Sequence, residues 1–181
     1  MCNQDFDLII TNNLPKEHGD IDELESFRFS NGYKFPKSYR NFVKEFGYGL
    51  TLEQFHIYLP MGDYGDSIFI RSEEIQCTYI DDVLNNDIWF DIEPDGTKEI
   101  LKRLYPFASS DNGVYLFWDT GSFNNDEFDI FMTDFRGIGF KKIASNLYDC
   151  LENLTEGYKI REELPFAISP MKNIFEILKV K

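Results

Sequence analysis

Histidine, cysteine and basic residues are scarce in this chain. Among 181 residues there are two histidines, His18 and His56, and three cysteines, Cys2, Cys77 and Cys150. Neither histidine lies near a Ser or Cys in a nucleophile motif, so His56 reads as a strand residue beside Ile57 rather than as a general base. An odd number of cysteines without metal-type spacing fits reduced structural thiols better than a disulfide framework. No uncharged apolar run approaches the roughly 20 residues that a membrane span requires. Asp5 and Asp7 argue against a basic, apolar leader at the N-terminus. These absences together predict a soluble, cytoplasmic protein. Nucleophile elbow, P-loop and dinucleotide glycine pattern are also missing, and Gly137-x-Gly139 is only a turn-sized fragment, which argues against a nucleotide enzyme.

Positive charge is the other deficit. With 18 Lys and Arg against 32 Asp and Glu, the net charge is −14. Nucleic acid and anionic membrane need Lys/Arg surfaces, so both are disfavoured as direct partners. The excess is local: residues 61–135 hold 17 acidic residues against 4 basic ones, a net of −13. This middle region reads either as a solvated surface that maintains solubility or as a docking surface for a basic protein.

What the chain has in abundance is aromatic residues, with 18 Phe and 10 Tyr. A single core of ordinary domain size can hold them, and a chain this long buries roughly 70% of its unfolded surface without disulfides or metals. The clearest element is Phe35 to Gly49. Pro36 suits the first helical position, where its missing amide has no intrahelical role. Tyr39, Phe42, Val43 and Phe46 recur at i, i+3, i+4 and i+7 and make one apolar stripe. Lys37, Arg40, Asn41, Lys44 and Glu45 take the opposite face, and Gly47 or Gly49 can end the helix in the left-handed conformation.

This segment resembles the Leu-Pro-x-x-Tyr-x-x-Phe-Leu-x-x-x-x-Gly-Gly pattern of the SUKH superfamily, the Smi/Knr-like proteins, with Phe35 in place of the leading Leu and a split glycine pair. The resemblance continues through Gly65 to Ile75, Tyr105 to Gly113 and Ile143 to Leu151, in order, over roughly residues 20–155. It implies an α+β single domain with a central, mostly antiparallel sheet and packed helices. Many bacterial members are intracellular immunity proteins that bind and neutralise a cognate polymorphic toxin, often a nuclease or deaminase. Fungal members resemble regulatory adaptors linked to cell-wall synthesis. Neither role needs catalytic residues, metal or cofactor. The compact chain and its acidic middle favour immunity against a basic nuclease, with a regulatory protein-interaction adaptor as the alternative and an enzyme using surface carboxylates as a second one.

Around that frame, residues 1–19 look irregular and residues 156–181 form an accessory segment whose Ile174, Phe175, Ile177 and Leu178 suit a helix. Asp20 can cap a first helix from Ile21 to about Phe29. Phe55 to Leu59 and Ile68 to Ile70 read as strands, and Ser72 as the start of a helix. Glu93-Pro94-Asp95-Gly96 is a turn, and Lys98 to Leu104 a short helix. Val114 to Trp118 and Phe128 to Thr133 are strands joined by an exposed acidic loop from Asp119 to Glu127. Phe135 to Gly139 is a turn, Phe140 to Ile143 completes a meander, and Ser145 caps a last helix. Asp91, Glu93 and Asp95 imitate the start of a calcium loop, but Lys102 replaces its bidentate Glu and Pro94 stiffens it. Trp118 reads as core.

The residues expected to meet a protein toxin are Asp63, Tyr64, Asp66, Trp89, Asp119, Asp126, Glu127 and Asp129. Charge density and loop placement single them out, with Trp89 and Tyr64 as aromatic anchors among carboxylates. Reversing Asp126, Glu127 and Asp129 to Lys is expected to slow capture and leave thermal stability nearly unchanged. Oligomeric state is left open.

Overall fold

The fold is organised around the proline-started helix. In the computed structural model, which describes residues 5–134, 139–155 and 171–180, this helix spans Lys37–Glu45 (α2) with Pro36 immediately before it. Tyr39, Phe42, Val43 and Phe46 are all at most 2% exposed. Burying side chains of this size stabilises by roughly 1.5–3 kcal/mol each relative to leaving them in water. Gly47, at φ +76°, ends the helix, and a Cβ there would lie 2.4 Å from the Glu17 carbonyl oxygen. The preceding helix, Ile21–Ser26 (α1), is capped by Asp20, whose side chain accepts the Glu23 N–H at 2.8 Å. It is shorter than the expected run to Phe29.

The stripe of α2 packs on one eight-stranded sheet of order β1-β8-β2-β3-β4-β5-β6-β7. The strands are Ile9–Ile10 (β1), Gly49–Thr51 (β2), Phe55–Ile57 (β3), Leu104–Ser110 (β4), Val114–Asn124 (β5), Glu127–Asp134 (β6), Lys141–Ala144 (β7) and Ile174–Ile177 (β8). The pairing of β1 with β8 is parallel and all others are antiparallel. The expected α+β fold with one mostly antiparallel sheet is therefore present. Trp118 sits in its core, stacked on Phe107 at 4.2 Å and edge-on to Tyr39 at 4.9 Å.

Several local expectations are corrected. Ile68 to Ile70 open the helix Ile68–Gln76 (α3) and form no strand, so Ser72 lies inside that helix instead of starting it. Three consecutive apolar residues carry no period of their own; the burial of Ile68, Ser72 and Ile75 is helical. The helix continues through a π-helical turn, Cys77–Asp81, into Asp82–Asn85 (α4), where Asn86 ends it at φ 60°. The short helix Lys98–Leu101 (α5) follows the 93–96 turn.

At the C-terminal side, residues 174–177 form strand β8 and not a helix. Phe175 and Ile177 point inward and Glu176 outward, a period of two that the spacing of the four apolar residues hides. The backbone of β2 supplies the partner, and Gly49 makes room: a Cβ there would lie 2.3 Å from Phe175 Cζ. The supposedly irregular N-terminal segment likewise contributes β1.

The Asp119–Glu127 loop is also absent as such. Residues 119–124 continue β5, and Asn125 and Asp126, at φ 52° and 65°, form a two-residue hairpin turn into β6. Positive φ at both central residues matches the twist of the strands they join. The last helix, Leu147–Thr155 (α6), is capped by Asn146, which accepts the Asp149 N–H at 2.9 Å; Ser145 instead donates to Asp129. The turn expected at 135–139 falls mostly outside the described residues, as does the part of the expected accessory segment before residue 171.

Candidate protein-docking surfaces

The hairpin carboxylates are engaged inside the molecule. The first amides of α2 have no partners within the helix, and the β5–β6 turn supplies them. The Asp126 carbonyl accepts Lys37 N–H at 2.8 Å, and Glu127 Oε1 accepts Ser38 N–H at 2.8 Å. Glu127 Oε2 also accepts the Ser38 hydroxyl at 2.7 Å, while Ser38 Oγ accepts Leu147 N–H at 3.0 Å. A carboxylate 89 residues downstream thus caps α2 and ties it to α6. Burial pushes the Glu127 carboxyl above its usual range, and the Ser38 hydrogen bonds oppose this.

Asp126 pairs with Arg40, which also binds Glu25 of α1 at 3.2 Å. Asp129 pairs with Lys142 at 2.7 Å and accepts the Ser145 hydroxyl at 3.0 Å. Asp119 is only 3% exposed, and the Arg103 guanidinium holds both its oxygens, with Nη2–Oδ2 at 2.9 Å. It is a buried structural carboxylate rather than a free docking charge. Reversal of Asp126, Glu127 and Asp129 therefore removes a helix cap and two ion pairs, contrary to the expected neutrality for stability.

Trp89 occupies a different setting. It is 89% exposed, and Ile88 beside it is 38% exposed. The backbone here is pinned by the neighbours: Phe90 meets Tyr79 edge-on at 6.1 Å and Phe140 at 5.8 Å, and Ile92 packs against the core. Alternation then turns Trp89 and Asp91 outward. Asp87 N–H reaches Asp82 O at 2.9 Å, Gly96 N–H reaches Ile92 O at 2.9 Å, and Lys142 N–H reaches Asp95 Oδ2 at 2.9 Å. The indole is thus presented by an anchored loop. Residues 81–99 carry seven carboxylates and one lysine, so the aromatic tip stands in a negative field.

Asp63 and Tyr64 lie on the turn between β3 and α3. Asp63 is exposed. Tyr64 is half-buried, edge-on to Tyr48 at 5.8 Å, and Asp66 accepts the Tyr48 hydroxyl. Burial, reinforced by Asp66, pushes the Tyr48 phenol well above its usual range. The turn borders a shallow cleft of about 620 Å³ that also includes Glu17, Asp20, Ile21 and Asp22 from the other side. Sequence reading missed these four, because they belong to the entry and first turn of α1, some forty residues away; only the fold joins them.

Among the described residues, the histidines and cysteines lie apart from one another. His18 Nδ1 lies 2.8 Å from the Val43 carbonyl, and His56 Nε2 lies 3.3 Å from Asp111 on the surface. Cys150 is buried, which pushes its thiol well above the usual range, and Cys77, at the start of the π-helical turn, is exposed. Among the described residues, no group of three or more His, Cys, Asp or Glu side chains could hold a metal ion, and no helix is long and apolar enough to cross a membrane. The arrangement leaves an exposed indole at Trp89 among surface carboxylates.

A family model, SUKH_6, described as SMI1-KNR4 cell-wall, matches residues 21–151. No curated protein and no solved structure matches the chain.

Proposed function

The chain belongs to the SUKH family described as SMI1-KNR4 cell-wall, and from that membership we propose that it is a cytoplasmic immunity protein that binds and neutralises a cognate polymorphic toxin. Trp89 carries this reading. An exposed indole on an anchored loop loses little entropy on binding, and exposed aromatic anchors are where interfaces concentrate their energy. The seven carboxylates of residues 81–99 favour a basic partner such as a nuclease, whose encounter they would accelerate at low salt. A complex of ordinary size buries about 1,600 Å² in total.

The protein acts in this proposal by occupancy, without turnover, metal or cofactor. The experiment is co-expression with the toxin encoded beside its gene. Growth is restored by the wild-type chain and restored less by Trp89→Ala at equal protein level. Growth arrest that persists with the wild-type chain present in excess would reject immunity. The family description favours one second reading, a regulatory adaptor of the Smi/Knr type; such a protein would have no toxin gene beside it and would not protect.

A further inference from the structure

We propose that the cleft beside the β3–α3 turn receives an arginine side chain of the protein partner, a deeper statement of the immunity reading and dependent on it. Two walls meet there. One is the segment entering α1, with Glu17, Asp20, Ile21 and Asp22, and the other is the turn with Met61 and Tyr64. They are locked together at Gly19, whose φ is +66° and where a Cβ would lie 2.2 Å from the Pro60 carbonyl oxygen; Asp20 N–H donates to that same oxygen at 2.8 Å. The cleft is therefore preformed.

Its chemistry is divided. Apolar surface comes from Ile21, 37% exposed, Val180, 42% exposed, and the half-buried Met61 and Tyr64. Carboxylates stand at the margin. Glu17 Oε1 accepts Gly19 N–H at 3.0 Å and Asp20 Oδ1 accepts Glu23 N–H at 2.8 Å, so each is oriented through one oxygen. Among the described residues, Glu17, Asp20, Asp22 and Asp63 have no cationic partner, whereas Asp119, Asp126 and Asp129 of the hairpin each have one. Two basic groups of the adjoining segment are engaged elsewhere: Lys16 Nζ donates to the Glu45 carbonyl at 2.5 Å and lies over Phe46, and His18 faces Val43 O.

An arginine satisfies both halves of this site. Its aliphatic stem covers apolar surface while its planar fork binds carboxylates and stacks on an aromatic ring. Tyr64 offers that ring. Neutral or acidic side chains leave the carboxylates unpaired, so charge complementarity selects a cation with a long apolar stem.

The test is titration of the full ¹⁵N-labelled chain with a capped Gly-Arg-Gly peptide, and with the same peptide carrying the uncharged isostere citrulline. The expected result is amide shifts concentrated at residues 17–23, 61–66 and 180 for the arginine peptide and at least a tenfold weaker response to citrulline. The triple variant Glu17→Gln, Asp20→Asn, Asp22→Asn is expected to weaken arginine binding at least tenfold. Asn caps helices about as well as Asp, so the variant keeps α1, and its unchanged remaining spectrum checks this. Shifts spread equally over residues 81–99, an equal citrulline response or undiminished binding by the folded triple variant would overturn the site. Those outcomes combined with intact growth protection reject the cleft alone; absent protection by the wild-type chain rejects the immunity reading.

Discussion

Replacing Glu127 with alanine tests whether a hairpin in the acidic middle is a structural clamp. The variant removes the carboxylate that caps α2 through the Ser38 amide, with both hydrogen bonds under 2.9 Å. Losing a cap costs about 0.5–2 kcal/mol. Ser38 is fully buried, and leaving a buried polar group without its acceptor costs a further 1–3 kcal/mol, roughly. The sum is about 1.5–5 kcal/mol, and at about 2–4 °C per kcal/mol for a chain of this size the melting temperature falls by roughly 3–20 °C. Glu127→Gln keeps a carbonyl acceptor for the amide and is expected to lose about 1 kcal/mol. Differential scanning calorimetry reads both. An alanine variant melting within one degree of wild type, by that rough scale, would refute the clamp.

The pH dependence has a definite sign. Burial raises the Glu127 carboxyl in the folded state, so the folded protein holds that proton at pH values where the unfolded chain has released it, and stability from this group falls as pH rises through the raised value. The difference between wild type and Glu127→Gln should thus shift in favour of wild type on acidification from neutral pH, measured by urea midpoints; a shift the other way contradicts the assignment. Glu25 behaves oppositely, because hydrogen bonding to Lys44 lowers its carboxyl, and its contribution is lost as pH falls. Phe42→Ala, at a fully buried position, should destabilise by about 3–5 kcal/mol, and an unchanged chemical-denaturation midpoint would contradict the packing of α2. Arg103→Ala leaves the Asp119 carboxylate, 3% exposed, without its cation and should cost about 3 kcal/mol; a neutral effect in the same assay would mean that Asp119 is solvated.

The helix stripe of α2 was legible in the sequence because its apolar spacing and its proline and glycine boundaries all agree, and the central strands because they are long and apolar. Ile68 to Ile70 was not, since three apolar residues fit either period and the choice is made by Ser72 and Ile75 further along. Strand β8 was hidden for a related reason: its pairing with β2 and β1 joins residues more than a hundred positions apart. For the candidate surfaces, charge density located the acidic middle but could not separate free carboxylates from paired ones. Asp119, Asp126, Glu127 and Asp129 all have partners distant in sequence. Trp89 was legible because its charged neighbours made burial costly, while the cleft carboxylates Glu17, Asp20 and Asp22 meet Met61 and Tyr64 only through the packing at Gly19.

The central claim is that an exposed aromatic anchor in an acidic field captures a protein toxin. Its most direct test is the equilibrium affinity of the purified toxin encoded beside this gene for the wild-type chain and for Trp89→Ala, by calorimetry at two salt concentrations. The substitution should change folding stability by less than about 0.5 kcal/mol, as for an exposed site, yet weaken binding by about 2 kcal/mol or more, as for an interface hot spot. Equal affinity of the two proteins for the toxin, or no complex with the wild-type chain, would contradict it.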